Sequence, residues 1–208
     1  MIRFRMTPLA SQYAALAQAV DQEFERGRGL HGPRIQCGPG CYECCHQLFQ
    51  ITELEAAVIS EAVAGMPPAE RTALQDRARA YSARRALLVT AQGEPEAWGS
   101  LPPPGTRLLC PALEDGLCRI YQARPLICRK FGVPLYNPSR PDRVFACEIN
   151  FRDGDAIDDG RLIQIQTGLH QRAKDVQSAF DRAGGRRDPN PITVARAVLE
   201  DFRAHLPR

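Results

Sequence analysis

The sequence predicts a mainly α chain, a helical scaffold that carries irregular cysteine-rich loops and one small β-hairpin. Three observations lead there. Apolar residues recur three and four positions apart over several long stretches, the period of a helix with one buried face. Proline and glycine break up the middle of the chain. The 8 cysteines fall in two segments, Cys37, Cys41, Cys44 and Cys45 in one, and Cys110, Cys118, Cys128 and Cys147 in the other. With 208 residues, 44% of them hydrophobic and 25% charged, the chain reads as a single domain over 1–208 with a core of ordinary size. Its cysteine region covers about 34–150, between helices at 7–27 and 160–206.

In the first helix Thr7 is placed to cap and Pro8 to occupy the first turn, where a missing N–H costs nothing. Leu9, Tyr13, Leu16, Val20 and Phe24 make its buried stripe, and Gly27 and Gly29 are expected to end it. A basic glycine-rich linker from Arg26 to Arg34 then leads to the first cysteines. Thr52-Glu53-Leu54-Glu55 has the form of a capping box, so a second helix starts there, with Leu54, Val58 and Ala62 inward. Gly65 and Pro67-Pro68 stop it. A third helix over 69–91 turns Leu74, Ala78, Tyr81 and Leu88 to one side and arginines to the other.

Residues 93–107 are expected to be loop, because Pro102-Pro103-Pro104 excludes helix and central strand. The stretch Arg107–Leu113, the turn Glu114-Asp115-Gly116 and the return Leu117–Tyr121 suggest a hairpin that brings Cys110 and Cys118 close. A short helix near 125–130 holds Cys128, and 133–155, which holds Cys147, reads as irregular. Leu162, Ile165, Leu169, Ala173, Val176 and Phe180 form the stripe of the next helix, ended by Gly184-Gly185. Asn190-Pro191 opens the last helix, which buries Val194, Val198, Leu199 and Phe202.

Thiolates are soft ligands for zinc, iron and iron–sulfur clusters, and short spacings lower the cost of closing a loop around an ion. Gly38 and Gly40 let the backbone curl, and Pro39 stiffens the same turn. Adjacent side chains diverge, so Cys44 and Cys45 are hard to place on one metal. His46 is a nitrogen donor next to them, left outside the ligand set because a lone histidine is more often a supporting or exposed group. The candidate metal ligands are therefore Cys37, Cys41, Cys44, Cys45, Cys110, Cys118, Cys128 and Cys147, enough for one site or two.

These residues carry a family resemblance. Cys41-Tyr42-Glu43-Cys44-Cys45, preceded by Cys37, resembles the signature of the YkgJ-type CxxCxxCC family of zinc- or iron-chelating domains. Cys110-Pro111-Ala112-Leu113, Gly116-Leu117-Cys118-Arg119-Ile120-Tyr121 and Arg124-Pro125-Leu126-Ile127-Cys128-Arg129-Lys130-Phe131 match its second block nearly throughout. The family spaces its first two cysteines by two residues, whereas Gly38-Pro39-Gly40 makes three here. The resemblance implies metal binding and no agreed reaction. On the residues themselves, Arg124 and Arg129 are candidates to donate hydrogen bonds around the sulfurs, and Tyr121 to cover them from water, with ordinary packing as the alternative for each.

Zinc and iron stay open as the cofactor. Cys37-x3-Cys41-x2-Cys44 resembles the three-ligand motif of radical S-adenosylmethionine enzymes, and Cys110-Pro111 is similar to the Cys-Pro step of ferredoxins, which keeps a [4Fe–4S] cluster in play. The function expected is metal chelation through eight cysteines. The alternatives are an iron–sulfur redox enzyme or a methyltransferase-related protein, so the chain is not assigned to enzymes or to binding modules. A net charge of +3 gives no case for nucleic acid. Apolar runs are too short for a membrane span, and no export signal is visible, which favours the cytoplasm and reduced thiols. A metal ion is the one partner expected; protein partners are left open.

Overall fold

The polypeptide follows the helical periods of its sequence but sorts them into two units of interleaved chain. A computed structural model describes residues 8–38, 40–93 and 107–207. Among these residues, one unit is built from 42–93, 107–125 and 183–207, the other from 8–38, 40–41 and 126–182. Six α-helices are present among the described residues, with two small antiparallel strand pairs. None of the described helices is long and apolar enough to cross a membrane.

In the first unit α2 (Glu53–Ala64) is the central element. Its capping box forms as expected. The Glu55 N–H donates to Thr52 Oγ1 (3.3 Å), and the Thr52 N–H donates to the Glu55 carboxylate (2.8 Å). Such a box is worth about 1 kcal/mol. Burial of α2 is wider than a single stripe. Leu54, Ala56, Ala57, Ile59 and Val63 are buried, while Val58 and Ala62 are only partly so. The reason is that α2 packs against both α6 (Val194–Leu199) and the 3₁₀ turn Phe202–His205. Alanines 56, 57, 195 and 197 are fully buried, and their small side chains suit close helix approach. Even the acidic end is covered: Glu53 accepts from the Asp188 N–H (3.0 Å) and from Arg187 (3.1 Å).

Helix α3 (Pro68–Gln92) packs on α6 and buries Leu74, Ala78 and Tyr81 as expected. Leu88 is half-buried, and the Pro-Pro-Pro stretch lies outside the described residues. The last helix opens later than Asn190-Pro191 suggests. Residues 190–193 stay non-helical because the Ile192 carbonyl accepts from the Ile51 N–H (2.9 Å), and Thr193 then caps α6 through the Arg196 N–H (3.2 Å). Phe202, expected on that helix, lies fully buried on the separate 3₁₀ turn.

The expected hairpin is present but shorter. Strand β1 (Leu113–Glu114) pairs with β2 (Leu117–Cys118), and Leu113 stands opposite Cys118. Asp115 and Gly116 both have positive φ (51° and 74°), the geometry of a two-residue turn that matches strand twist. Cys110 precedes the strand, in a turn whose Leu113 N–H donates to the Cys110 carbonyl (3.0 Å).

In the second unit α1 (Pro8–His31) packs against α4 (Leu126–Lys130) and α5 (Leu162–Arg182). Thr7, the expected cap, lies outside the described residues. The helix does not end at Gly27 and Gly29 and absorbs most of the expected linker. At Gly27 a β-carbon would stand 3.0 Å from Val133 Cγ1, so this glycine provides a close approach rather than a stop. Termination comes at Gly32-Pro33, where Gly32 takes φ of 51°. Arg129 on α4 reaches Asp21 on α1 (2.6 Å), and Arg26 bonds both Glu23 and Asp159. Residues 133–155 are more regular than expected, since β3 (Leu135–Tyr136) and β4 (Val144–Phe145) form a second strand pair.

Ser60 offers a test of the first unit. Its hydroxyl donates to the Ala197 carbonyl (2.9 Å), with the Glu200 carbonyl at 3.0 Å, and accepts from the Phe202 N–H (3.2 Å). Removing the hydroxyl strands that buried amide, so Ser60→Ala is expected to lose about 1–3 kcal/mol of unfolding free energy in a urea titration. Wild-type stability in that variant would refute this account of the α2–α6 junction.

Candidate metal centre

The two cysteine segments are each divided between the units. Cys44, Cys45, Cys110 and Cys118 belong to the first, and Cys37, Cys41, Cys128 and Cys147 to the second. No disulfide joins any of the eight, all of which lie among the described residues. The break falls inside the most compact run of the sequence, between Cys41 and Tyr42.

In the first unit a 3₁₀ turn, Glu43–His46, presents the adjacent pair. The Cys45 N–H donates to the Tyr42 carbonyl (2.8 Å) and the Gln47 N–H to the Cys44 carbonyl (3.2 Å). Within this turn the Cys44 and Cys45 side chains are hydrogen-bonded to each other, so the expected divergence of the pair does not hold. The Cys110 N–H donates to the Cys45 carbonyl (2.7 Å), which fastens the approach to the hairpin onto the turn. β2 supplies Cys118. Both Cys110 and Cys118 pack against the apolar core of the unit.

The electrostatics tie these four sulfurs together. The Cys44 thiol is raised well above the ordinary range, first by its bond to Cys45 and then by burial. Burial pushes Cys110 up to about 12, with Cys118 and Cys44 adding to it. Cys118 is raised by burial, with Cys44 contributing. Arg124 opposes the rise at both Cys44 and Cys118, which is the field expected of a cation near thiolates. Its guanidinium lies over the Tyr121 ring at 3.9 Å and donates to the Tyr121 carbonyl (2.9 Å). Tyr121 is 56% exposed, so it is no water-excluding cover. With Cys118, Glu61, Met66 and Arg119 it lines an open cleft of about 440 Å³.

The second unit gathers Cys37, Cys41 and Cys147, with Cys128 on α4. Cys37 is pushed up to about 11, chiefly by burial, and both Cys41 and Cys147 add to it, Cys41 also through a side-chain hydrogen bond. Cys147 is 2% exposed. Two residues that the sequence reading did not single out shape this group. Asn150, buried at 4% exposure, places its Nδ2 3.5 Å from Cys37 Sγ and lowers that thiol against the other effects. Gly132 has φ of 117°, and a β-carbon there would sit 2.5 Å from Cys37 Sγ. The available signal for Gly132 was weak: a glycine directly after the Cys128–Phe131 block, with no partner visible in sequence. Arg129 directs one guanidinium nitrogen to Asp21.

Among the described residues no three Cys, His, Asp or Glu side chains stand close enough to hold an ion as they are. The donor chemistry nevertheless suits a soft cation, because each raised thiol owes its shift to burial and to neighbouring sulfur, and a positive ion reverses both influences.

The same shifts have a sign that can be measured. A thiol whose pKa is higher folded than unfolded stabilises the fold below its ordinary value, about 8.5. That contribution disappears as pH rises through the folded values of about 11 for Cys37 and about 12 for Cys110. Metal-free protein is therefore expected to show a lower urea midpoint at about pH 10 than at about pH 8. Equal midpoints would remove the case for thiols whose ionisation is opposed by burial and by neighbouring sulfur.

No curated protein and no solved structure matches the chain. One family does: the model described as "CxxCxxCC: Putative zinc- or iron-chelating domain" matches residues 36–142, which contain seven of the eight cysteines and both halves of the sulfur arrangement. The chain belongs to the CxxCxxCC family.

Proposed function

We propose that this protein binds two metal ions, zinc or iron, one in each group of four cysteines. Cys44, Cys45, Cys110 and Cys118 would hold the first, and Cys37, Cys41, Cys128 and Cys147 the second. The observation that carries the reading is the four-and-four division, in which each unit draws two sulfurs from each sequence segment. Four thiolates complete a tetrahedral zinc or iron site without water or histidine. Binding would release protons from the raised thiols, so uptake weakens as pH falls. Arg124 would offset part of the negative charge of the first group.

The chain stretches of the two units alternate, so neither can be cut out as one contiguous piece, and we read 1–208 as a single domain. Eight cysteines outside any disulfide suit a reducing compartment such as the cytoplasm. The radical-enzyme-like triplet Cys37, Cys41 and Cys44 does not act as a set in this reading, because Cys44 falls in the other unit.

Protein purified without oxygen is expected to carry about two metal equivalents per chain, one for each tetrahedral set of four ligands. Cys44→Ser or Cys110→Ser should remove one equivalent, and Cys37→Ser or Cys147→Ser the other. A double variant with one change in each group should carry none. Elemental analysis for zinc and iron, with assay of acid-labile sulfide, identifies what is bound: colourless protein with zinc is a zinc protein, and brown protein with sulfide holds a cluster. Full metal content in Cys44→Ser and Cys37→Ser would overturn the assignment.

A further inference from the structure

We propose that Asn150 is the positioning residue that assembles the Cys37, Cys41, Cys128 and Cys147 group, an inference that rests on the metal-binding reading above. The carboxamide joins chain segments that are far apart in sequence. Its Oδ1 accepts from the Gln36 N–H (2.7 Å), beside Cys37. Its Nδ2 donates to the Gly132 carbonyl, just beyond the helix of Cys128, and lies 3.5 Å from Cys37 Sγ. Its own backbone N–H donates to the Cys147 carbonyl (2.8 Å). One buried residue thus touches the segments of Cys37 and Cys128 through its side chain and that of Cys147 through its backbone.

The chemistry requires an amide there. Both Nδ2 protons have acceptors, the Gly132 carbonyl and the Cys37 sulfur, and the single oxygen has its donor. A flipped amide would set oxygen against the Gly132 oxygen and N–H against the Gln36 N–H, so the network fixes the orientation. Aspartate has the same shape but no donor. It would keep the Gln36 bond and turn an acceptor toward a carbonyl and a sulfur. Donation to a ligating sulfur orients it and takes up part of its charge, and loss of such a supporting contact lowers metal affinity about 10–100-fold. Gly132 completes the fit, since any β-carbon at that position would displace the sulfur that Asn150 holds.

The two roles of the side chain separate in two variants of the full-length protein. In metal-free protein Asn150→Ala should speed hydrogen exchange at the Gln36 amide, while Asn150→Asp should leave it protected. On titration with zinc, Asn150→Asp should keep one tight equivalent and bind the second about 10–100-fold more weakly. In the cobalt-substituted protein, the thiolate-to-metal absorption of that second equivalent should shift. A merely structural role would not move that band in a variant with unchanged helicity. Should Asn150→Asp lose helicity, Asn150→Ser replaces it with the same expectations for zinc and cobalt. Unchanged Gln36 exchange in Asn150→Ala, or wild-type affinity and absorption at both equivalents in Asn150→Asp, overturns the proposal. A wild-type chain that takes up no metal sinks the metal-binding reading instead, and the exchange result still decides whether Asn150 is the strut.

Discussion

Sulfur set beside sulfur in partly buried positions is the constraint on which this structure turns. A buried thiol resists ionisation, and a second thiol next to it makes ionisation harder still. Cys37, Cys44, Cys110 and Cys118 are all raised for these two reasons together. A fold gains little from crowding reduced cysteines for their own sake, because a small apolar side chain would fill the same space without the penalty. The chain belongs to a zinc- or iron-chelating family, and a cation beside such sulfurs would favour the thiolates that burial and neighbouring sulfur oppose.

The cysteine segments contain little regular structure, so their geometry comes from individual hydrogen bonds and close approaches. In the first unit the bond from Cys110 to the Cys45 carbonyl and the short 3₁₀ turn under Cys44 and Cys45 do this work. In the second unit Gly27 admits Val133, and Gly132 admits the Cys37 sulfur. The helices provide the fixed background. Arg129 ties the Cys128 helix to α1, and the fully buried alanines of α2 and α6 suit a close helix crossing in the unit that holds the hairpin. Irregular backbone can be held accurately in this way only when each polar group has a named partner.

Local features were the most legible in the sequence. The capping box at Thr52, the stripes of α1 and α5, and the positive-φ turn at Asp115-Gly116 depend on residues within four positions of one another, and a reader needs no tertiary information to find them. Glycine was the least legible. Gly27 looked like a helix stop because termination is what glycine near a helix end commonly does, yet the pressure on it comes from Val133, more than a hundred residues away. Ile192 likewise delays the final helix through a bond to Ile51 that no local rule contains.

Residue type and short spacing are enough to specify a mainly helical chain with a two-part cysteine pattern of the zinc- or iron-chelating kind. Folding is what assigns the segments that carry the eight cysteines to one unit or the other. Neighbours in the chain, Cys41 and Cys44, belong to different units, while Cys45 and Cys110 become hydrogen-bonded through their backbones. The physical reason is that grouping depends on which distant segments pack together. Asn150 belongs to the same class of information: its meaning lies in Gln36, Gly132 and Cys37, and none of them is near it until the chain has folded.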